Sequence, residues 1–221
     1  MPNPLPLVEK KRDNLKRGLA EMGDKALAAL RQSIDCLRNQ DVGLAHAIVA
    51  GDAPIDRHRR QLEQESLVVL AAHKPAGRDL RVIGATFELV SELERIADYA
   101  VDVARGVIEV GPTRFPAEPL GLVVAMAEEA TAMVAEAMAA YRDDGGDARA
   151  RAAAASNGAV AAHAQAAVEV IGAAMRNDPE MSKAGVLLLW AVRDYQRAAC
   201  RATNIAERVV YIATGDTPDL D

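Results

Sequence analysis

Glu94-Arg95-Ile96-Ala97-Asp98-Tyr99-Ala100-Val101-Asp102 returns 102 residues later as Gln196-Arg197-Ala198-Ala199-Cys200-Arg201-Ala202-Thr203-Asn204, with its acids gone. The agreement extends well beyond these nine positions. Val82, Thr86, Leu89, Leu93, Ile96, Ala100, Val103 and Val107 step by four and three, the repeat of one helix face. Adding 102 to each gives Ala184, Leu188, Ala191, Tyr195, Ala198, Ala202, Ile205 and Val209. Two unrelated helices can share a heptad. A shared register, a shared central Arg and several shared alanines point instead to an internal duplication.

The rest of the chain fits that plan. Leu15, Leu19, Met22 and Ala26 open an apolar stripe that runs to about Leu37, and Asn39-Gln40-Asp41 reads as a turn. Leu44, Ile48, Ile55, Leu62 and Val69 mark a second helix, which His73-Lys74-Pro75 ends because Pro cannot continue the hydrogen-bond ladder. Gly111-Pro112, Pro116 and Pro119 interrupt the pattern after the third helix. In the second half a helix is expected from about Leu120 to Tyr141, followed by the turn Asp143-Asp144-Gly145-Gly146-Asp147. An Ala-rich helix then reaches about Met175, and Asn177-Asp178-Pro179 opens the last one. The expected fold is all-α: two tandem three-helix bundles, residues 1–110 and 120–221, joined by a linker at 111–119. Gly51-Asp52-Ala53-Pro54 predicts a kink inside the second helix, since an interior Pro removes a hydrogen bond and clashes with the preceding turn.

Composition supports this class and excludes others. Half of the 221 residues are apolar but only 3% are aromatic, which suits closely packed helices better than a β-sandwich. A formal charge of −6 argues against a nucleic-acid partner. Cys36 and Cys200 form no CxxC and no disulfide framework, as expected for a reducing cytosol. Met1-Pro2-Asn3-Pro4-Leu5-Pro6 lacks an apolar core, so no secretion signal is expected. The longest apolar run, near Gly185 to Val192, is too short to cross a bilayer.

Glu94, Asp98 and Asp102 form a row along one edge of the third helix, a spacing at which like charges repel. Folding the second helix back across the turn near Ala76 pairs residues equally distant from it. Glu94 then faces about residue 58, Asp98 about 54 and Asp102 about 50, which brings in Asp52 and Asp56. Two readings follow. One is a solvated acidic edge, partly neutralised by Arg95 and Arg105. The other is a hard-cation site, because convergent carboxylates without His or Cys suit iron, manganese, magnesium or calcium better than structural zinc. In the second half Gln196, Cys200 and Asn204 replace the row, and Asn157 and Ala161 replace Asp52 and Asp56. His46, His58, His73 and His163 show no paired spacing and read as surface or boundary residues, and Trp190 as core or interface. No phosphate loop, nucleophile elbow or Glu-x-x-His pair is present.

Leu93-Glu94-Arg95-Ile96-Ala97-Asp98-Tyr99-Ala100-Val101-Asp102-Val103-Ala104 resembles the signature helix of the PhoU family, accessory regulators of phosphate transport. Pro75-Ala76-Gly77-Arg78-Asp79-Leu80-Arg81 is similar to that family's P-V-A-x-D-L-R, and Asp52-Ala53-Pro54-Ile55-Asp56 to its D-x-x-I-D. Ala202-Thr203-Asn204-Ile205-Ala206-Glu207 and Tyr211-Ile212-Ala213-Thr214-Gly215 resemble the ending of its second repeat. The resemblance implies a cytoplasmic, non-enzymatic negative regulator, commonly a homodimer. Its implied partners are the ATP-binding subunit of a phosphate ABC transporter and a sensor histidine kinase. It further implies E/D-x-x-x-D metal binding in some members, carried here by Glu94 and Asp98 and by Asp52 and Asp56. Together with Asp102 of the same row, the expected metal site is Asp52, Asp56, Glu94, Asp98 and Asp102, for iron, manganese, magnesium or zinc. A carboxylate-bridged metalloenzyme is the alternative, and an amphipathic membrane-surface protein is disfavoured by mixed-sign helix faces.

Overall fold

The computed structural model describes residues 4–143 and 146–220; Asp144 and Gly145 of the expected second-half turn lie outside the described residues. Each half is a long helix, a broken helix and a second long helix. The first half contains α1 (Pro4–Asn39), α2 (Val42–Ala50), α3 (Asp52–His73) and α4 (Gly77–Val110). The second contains α5 (Ala117–Arg142), α6 (Asp147–Ala154), α7 (Asn157–Asn177), a 3-10 turn (Pro179–Met181) and α8 (Ser182–Thr214). No strand occurs among the described residues.

The kink expected at Gly51 is a full break. Asp41 caps α2 by accepting the Leu44 N–H at 2.9 Å, and the Gly51 N–H closes the helix on the Ala47 and Ile48 carbonyls. Pro54 then falls in the first turn of α3, where a missing N–H costs nothing. A matching break falls at Ala155-Ser156, 105 residues after Gly51, and divides the Ala-rich stretch expected to form one helix. The connector between halves is shorter than expected: α4 ends at Val110, Gly111 follows at φ 66 and ψ −132, and α5 starts at Ala117 with Pro119 inside its first turn.

Within the halves α1 packs on α4 and α5 on α8; between them α4 packs on α8 and α1 on α5. Both halves therefore share one continuous core, in which Leu15, Leu19, Leu30, Leu93, Met126, Met138 and Tyr195 are fully buried. Arg142 reaches Asp24 at 2.5 Å, and Arg38 pairs with Glu128, so α1 and α5 run antiparallel. Glu92 with Arg201 at 3.1 Å and Glu88 with Arg208 at 3.3 Å show the same for α4 and α8. Inside the core the Tyr195 hydroxyl meets Ser33 at 2.9 Å. Trp190 is not in this core but is 49% exposed.

Asp147–Asn177 is long and apolar enough to cross a membrane, although Ser156, Asn157, His163, Gln165 and Glu169 leave it without a long continuous apolar run. It is interrupted at Ala155-Ser156, and Val160, Ala164, Ala167 and Ile171 face the core.

One core predicts one unfolding event. Leu93→Ala should cost about 2–5 kcal/mol, as large-to-small core changes do, and circular dichroism should still show a single thermal transition. Two separated transitions would show that the halves fold independently.

Candidate acidic site

α4 carries Glu94, Asp98 and Asp102 one turn apart, and the break at Gly51 starts α3 at Asp52, with Asp56 a turn later. The register across α3 and α4 shows at Arg59, whose Nε lies 3.4 Å from Glu94 Oε1, one residue from the position expected by folding about the turn. Arg59 also holds Glu63 at 2.8 Å. Asp52, Asp56, Glu94 and Asp98 are half-buried, and Asp102 is exposed.

Three of the five carboxylates have cationic partners. Glu94 has Arg59, Asp56 has Arg60 at 3.5 Å, and Asp102 has Arg105 at 3.0 Å. Arg105 thus neutralises its neighbour as expected, but Glu94 draws its charge from α3 rather than from Arg95. Among the described residues Asp52 and Asp98 have no ion pair, and Asp52 Oδ1 is buried without a hydrogen-bond partner. Burial pushes the Asp98 carboxyl up to about 6, helped by the negative charges of Glu94, Asp52, Asp56 and Asp102. Burial also raises Asp52, aided by Asp56 and Asp102 and opposed by Arg105. All five acids therefore share one field.

Sharing a field is not the same as forming a coordination shell. No group of three or more His, Cys, Asp or Glu side chains among the described residues is placed to hold a metal ion. A hard cation needs several oxygens within about 2.0–2.6 Å of one point, and three of these carboxylates are engaged by arginines. The donor chemistry suits a hard cation, with the Asp52 oxygen left over, but the arrangement is a coupled acidic seam.

The second half lacks the seam. Gln196 and Cys200 are half-buried, Ala161 is exposed, and Asn204 Nδ2 donates to Glu92 at 3.1 Å. The histidines are scattered: His58 meets Lys25 at 3.3 Å, and His163 meets Glu129 at 2.6 Å. Sequence reasoning missed Arg59, and it also missed Asp194, a buried acid on α8 whose signal was its position 102 residues after Glu92.

A pair of three-helix repeats with an acidic seam in one of them defines a class of internally duplicated all-α bundles. The chain belongs to the PhoU domain family, whose model matches residues 19–107 and 123–209, one match in each half. It is 28% identical to a phosphate-specific transport system accessory protein PhoU homolog of Rhizobium meliloti, over 92% of this chain and 86% of that one. It is 30% identical to the Synechocystis homolog, over 91% and 88%. The crystal structure of PhoU from Pseudomonas aeruginosa superimposes with a TM-score of 0.89 at 27% identity, covering 94% of this chain and 99% of that one. The Streptococcus pneumoniae regulatory protein, at 22% identity and a TM-score of 0.88 over 96% and 99%, shares the fold.

The raised Asp98 gives a pH signature. The folded state binds its proton more tightly than the unfolded state, so stability falls as pH rises from about 4 towards 6 and the penalty is complete above that. With chelator-treated protein, Asp98→Asn should be more stable than the parent at pH 7.5 by about 1–2 kcal/mol after solvent screening. The difference should vanish below about pH 4. Urea melts at the two pH values measure it.

Proposed function

We propose that this chain is a cytoplasmic, non-enzymatic negative regulator of phosphate uptake and of the response to phosphate starvation. In this reading it links the ATP-binding subunit of a phosphate ABC transporter to a sensor histidine kinase, and it works as a homodimer. The observation that carries it is the match in both halves to one family, together with relatives named as accessory proteins of phosphate-specific transport over some nine-tenths of this chain. The architecture suits such work. Helices of 33 to 36 residues, about 50 Å long, give a broad stiff surface from a core with no internal joint between halves.

The acidic seam joins this reading as a cation site built on Asp52, Asp56, Glu94, Asp98 and Asp102, with iron, manganese, magnesium or zinc as occupant. Its support is that, among the described residues, one Asp52 oxygen has no hydrogen-bond partner and Asp52 and Asp98 have no ion pair. Such a cation would relieve the repulsion within the row and lock α3 against α4.

Co-purification of the tagged chain with the transporter ATPase and with the sensor kinase, each from a phosphate-replete cell, tests the adaptor reading; capture of neither refutes it. Elemental analysis of protein purified without chelators tests the seam separately. Wild type should carry at least one ion per chain and Glu94→Ala/Asp98→Ala fewer by half or more. Equal, negligible metal in both would leave the seam without a cation.

A further inference from the structure

The two faces of the α4–α8 contact are copies of each other, and only one is filled. On the filled face Glu92 accepts from Arg201 at 3.1 Å and from Asn204 at 3.1 Å, and Glu88 pairs with Arg208 at 3.3 Å. Moving each position by 102 residues gives the other face: Asp194 for Glu92, Tyr99 for Arg201, Asp102 for Asn204, Trp190 for Glu88 and Gly106 for Arg208. The carboxylate is kept, but both arginines are gone.

What remains is a hollow of about 390 Å³ lined by Gly106, Leu187, Trp190 and Asp194, with the Asp102–Arg105 pair and Arg193 also on its wall. Gly106 opens it, because the counterpart of the Arg208 side chain is a hydrogen. Asp194 is buried at its base, with a side chain 3% exposed. Among the described residues its one ion pair is with Arg193, its own neighbour in sequence, at 2.9 Å. Burial and the charge of Asp102 keep its carboxyl above the usual range despite that partner. Trp190, an exposed ring where the filled face has Glu88, forms one side. Between the same two helices Arg197 lies 5.3 Å over the Tyr99 ring, a guanidinium–aromatic contact within the chain.

We propose that this hollow receives an arginine side chain of a partner protein, its guanidinium against Asp194, whose neighbour Arg193 bonds Oδ1 alone, and its methylene stem on Trp190. The chain itself supplies the precedent, since it fills the equivalent place with arginine. A planar guanidinium matches a carboxylate two bonds at a time, and indole is the strongest cation–π face among the side chains. The surface would serve the regulator proposed above, yet it requires neither the transporter nor the kinase, and failure of those captures leaves it standing.

Trp190 is the single tryptophan of the chain, so its fluorescence reports on the hollow alone. The full chain would be titrated with a terminally capped tri-arginine peptide and with tri-lysine of equal charge. A saturable change with tri-arginine is expected, at least threefold weaker with tri-lysine. The tri-arginine affinity should fall at least tenfold in Asp194→Asn and in Gly106→Met. The second variant fills the hollow without altering charge, and a Cβ there meets only Leu187 Cδ2, at 3.4 Å. If circular dichroism shows Asp194→Asn unfolded, Gly106→Met alone decides the outcome. Equal response to both peptides, undiminished binding in Gly106→Met, a response to magnesium or manganese alone, or one that tracks protein concentration would overturn the proposal.

Discussion

The close antiparallel contact of α4 and α8 is the constraint from which the rest of the molecule hangs. With only 3% aromatic residues, the core cannot rely on large rings, and it compensates by length and proximity. Ala97, Ala100 and Ala104 on α4 and Ala198, Ala199, Ala202 and Ala206 on α8 are all buried. Small side chains let helix axes approach closely, so each residue gains contacts that it does not gain by size. The contact also explains why one core serves both halves. α1 leans on α4 and α5 on α8, and α1 meets α5 across the same junction.

Duplication placed equivalent residues at equivalent points, and the two copies differ in charge and, at Gly106 against Arg208, in side-chain volume. The helix break at Gly51 and its counterpart at Ser156 survive in both halves, although only the first has a nearby Pro. The carboxylates at Asp52, Asp56, Glu94 and Asp98 became Asn157, Ala161, Gln196 and Cys200, losing the electrostatic cost and whatever that cost supports. The arginines went the other way: Arg201 and Arg208 bridge to α4, while Tyr99 and Gly106 do not bridge back. Each half therefore carries a polar specialisation the other lacks, on a shared apolar plan.

Much of this was legible in the chain. The stripe positions from Val82 to Val107 and their partners from Ala184 to Val209 are buried with one register, because a helix of more than thirty residues repeats its apolar period often enough to be unambiguous. The α3–α4 register was readable to one residue, since an antiparallel pair joined by a short turn has no freedom to slide. What escaped had short-range or long-range causes. The Ala155-Ser156 break has no Pro, and its one local signal, Ser156-Asn157-Gly158, sits inside an Ala-rich stretch whose helix propensity hides it. Arg59 beside Glu94 and the hollow at Gly106 arise from pairings between helices that periodicity alone does not rank. Of the two readings of Trp190, core or interface, its exposure removes the first, and nothing local shows that the facing residue is a glycine.

The two thiols have unequal surroundings, and that difference has a practical side. Cys36 is buried, its Sγ donates to the Asp41 carbonyl at 3.4 Å, and burial raises it to about 11. It stays protonated at neutral pH, and a protonated thiol is a poor nucleophile. Cys200, halfway along α8 and partly open to solvent, is the other. A thiol-directed dye or spin label should therefore attach at one place without engineering, on the inner helix pair, where it would sense any change in spacing between the halves.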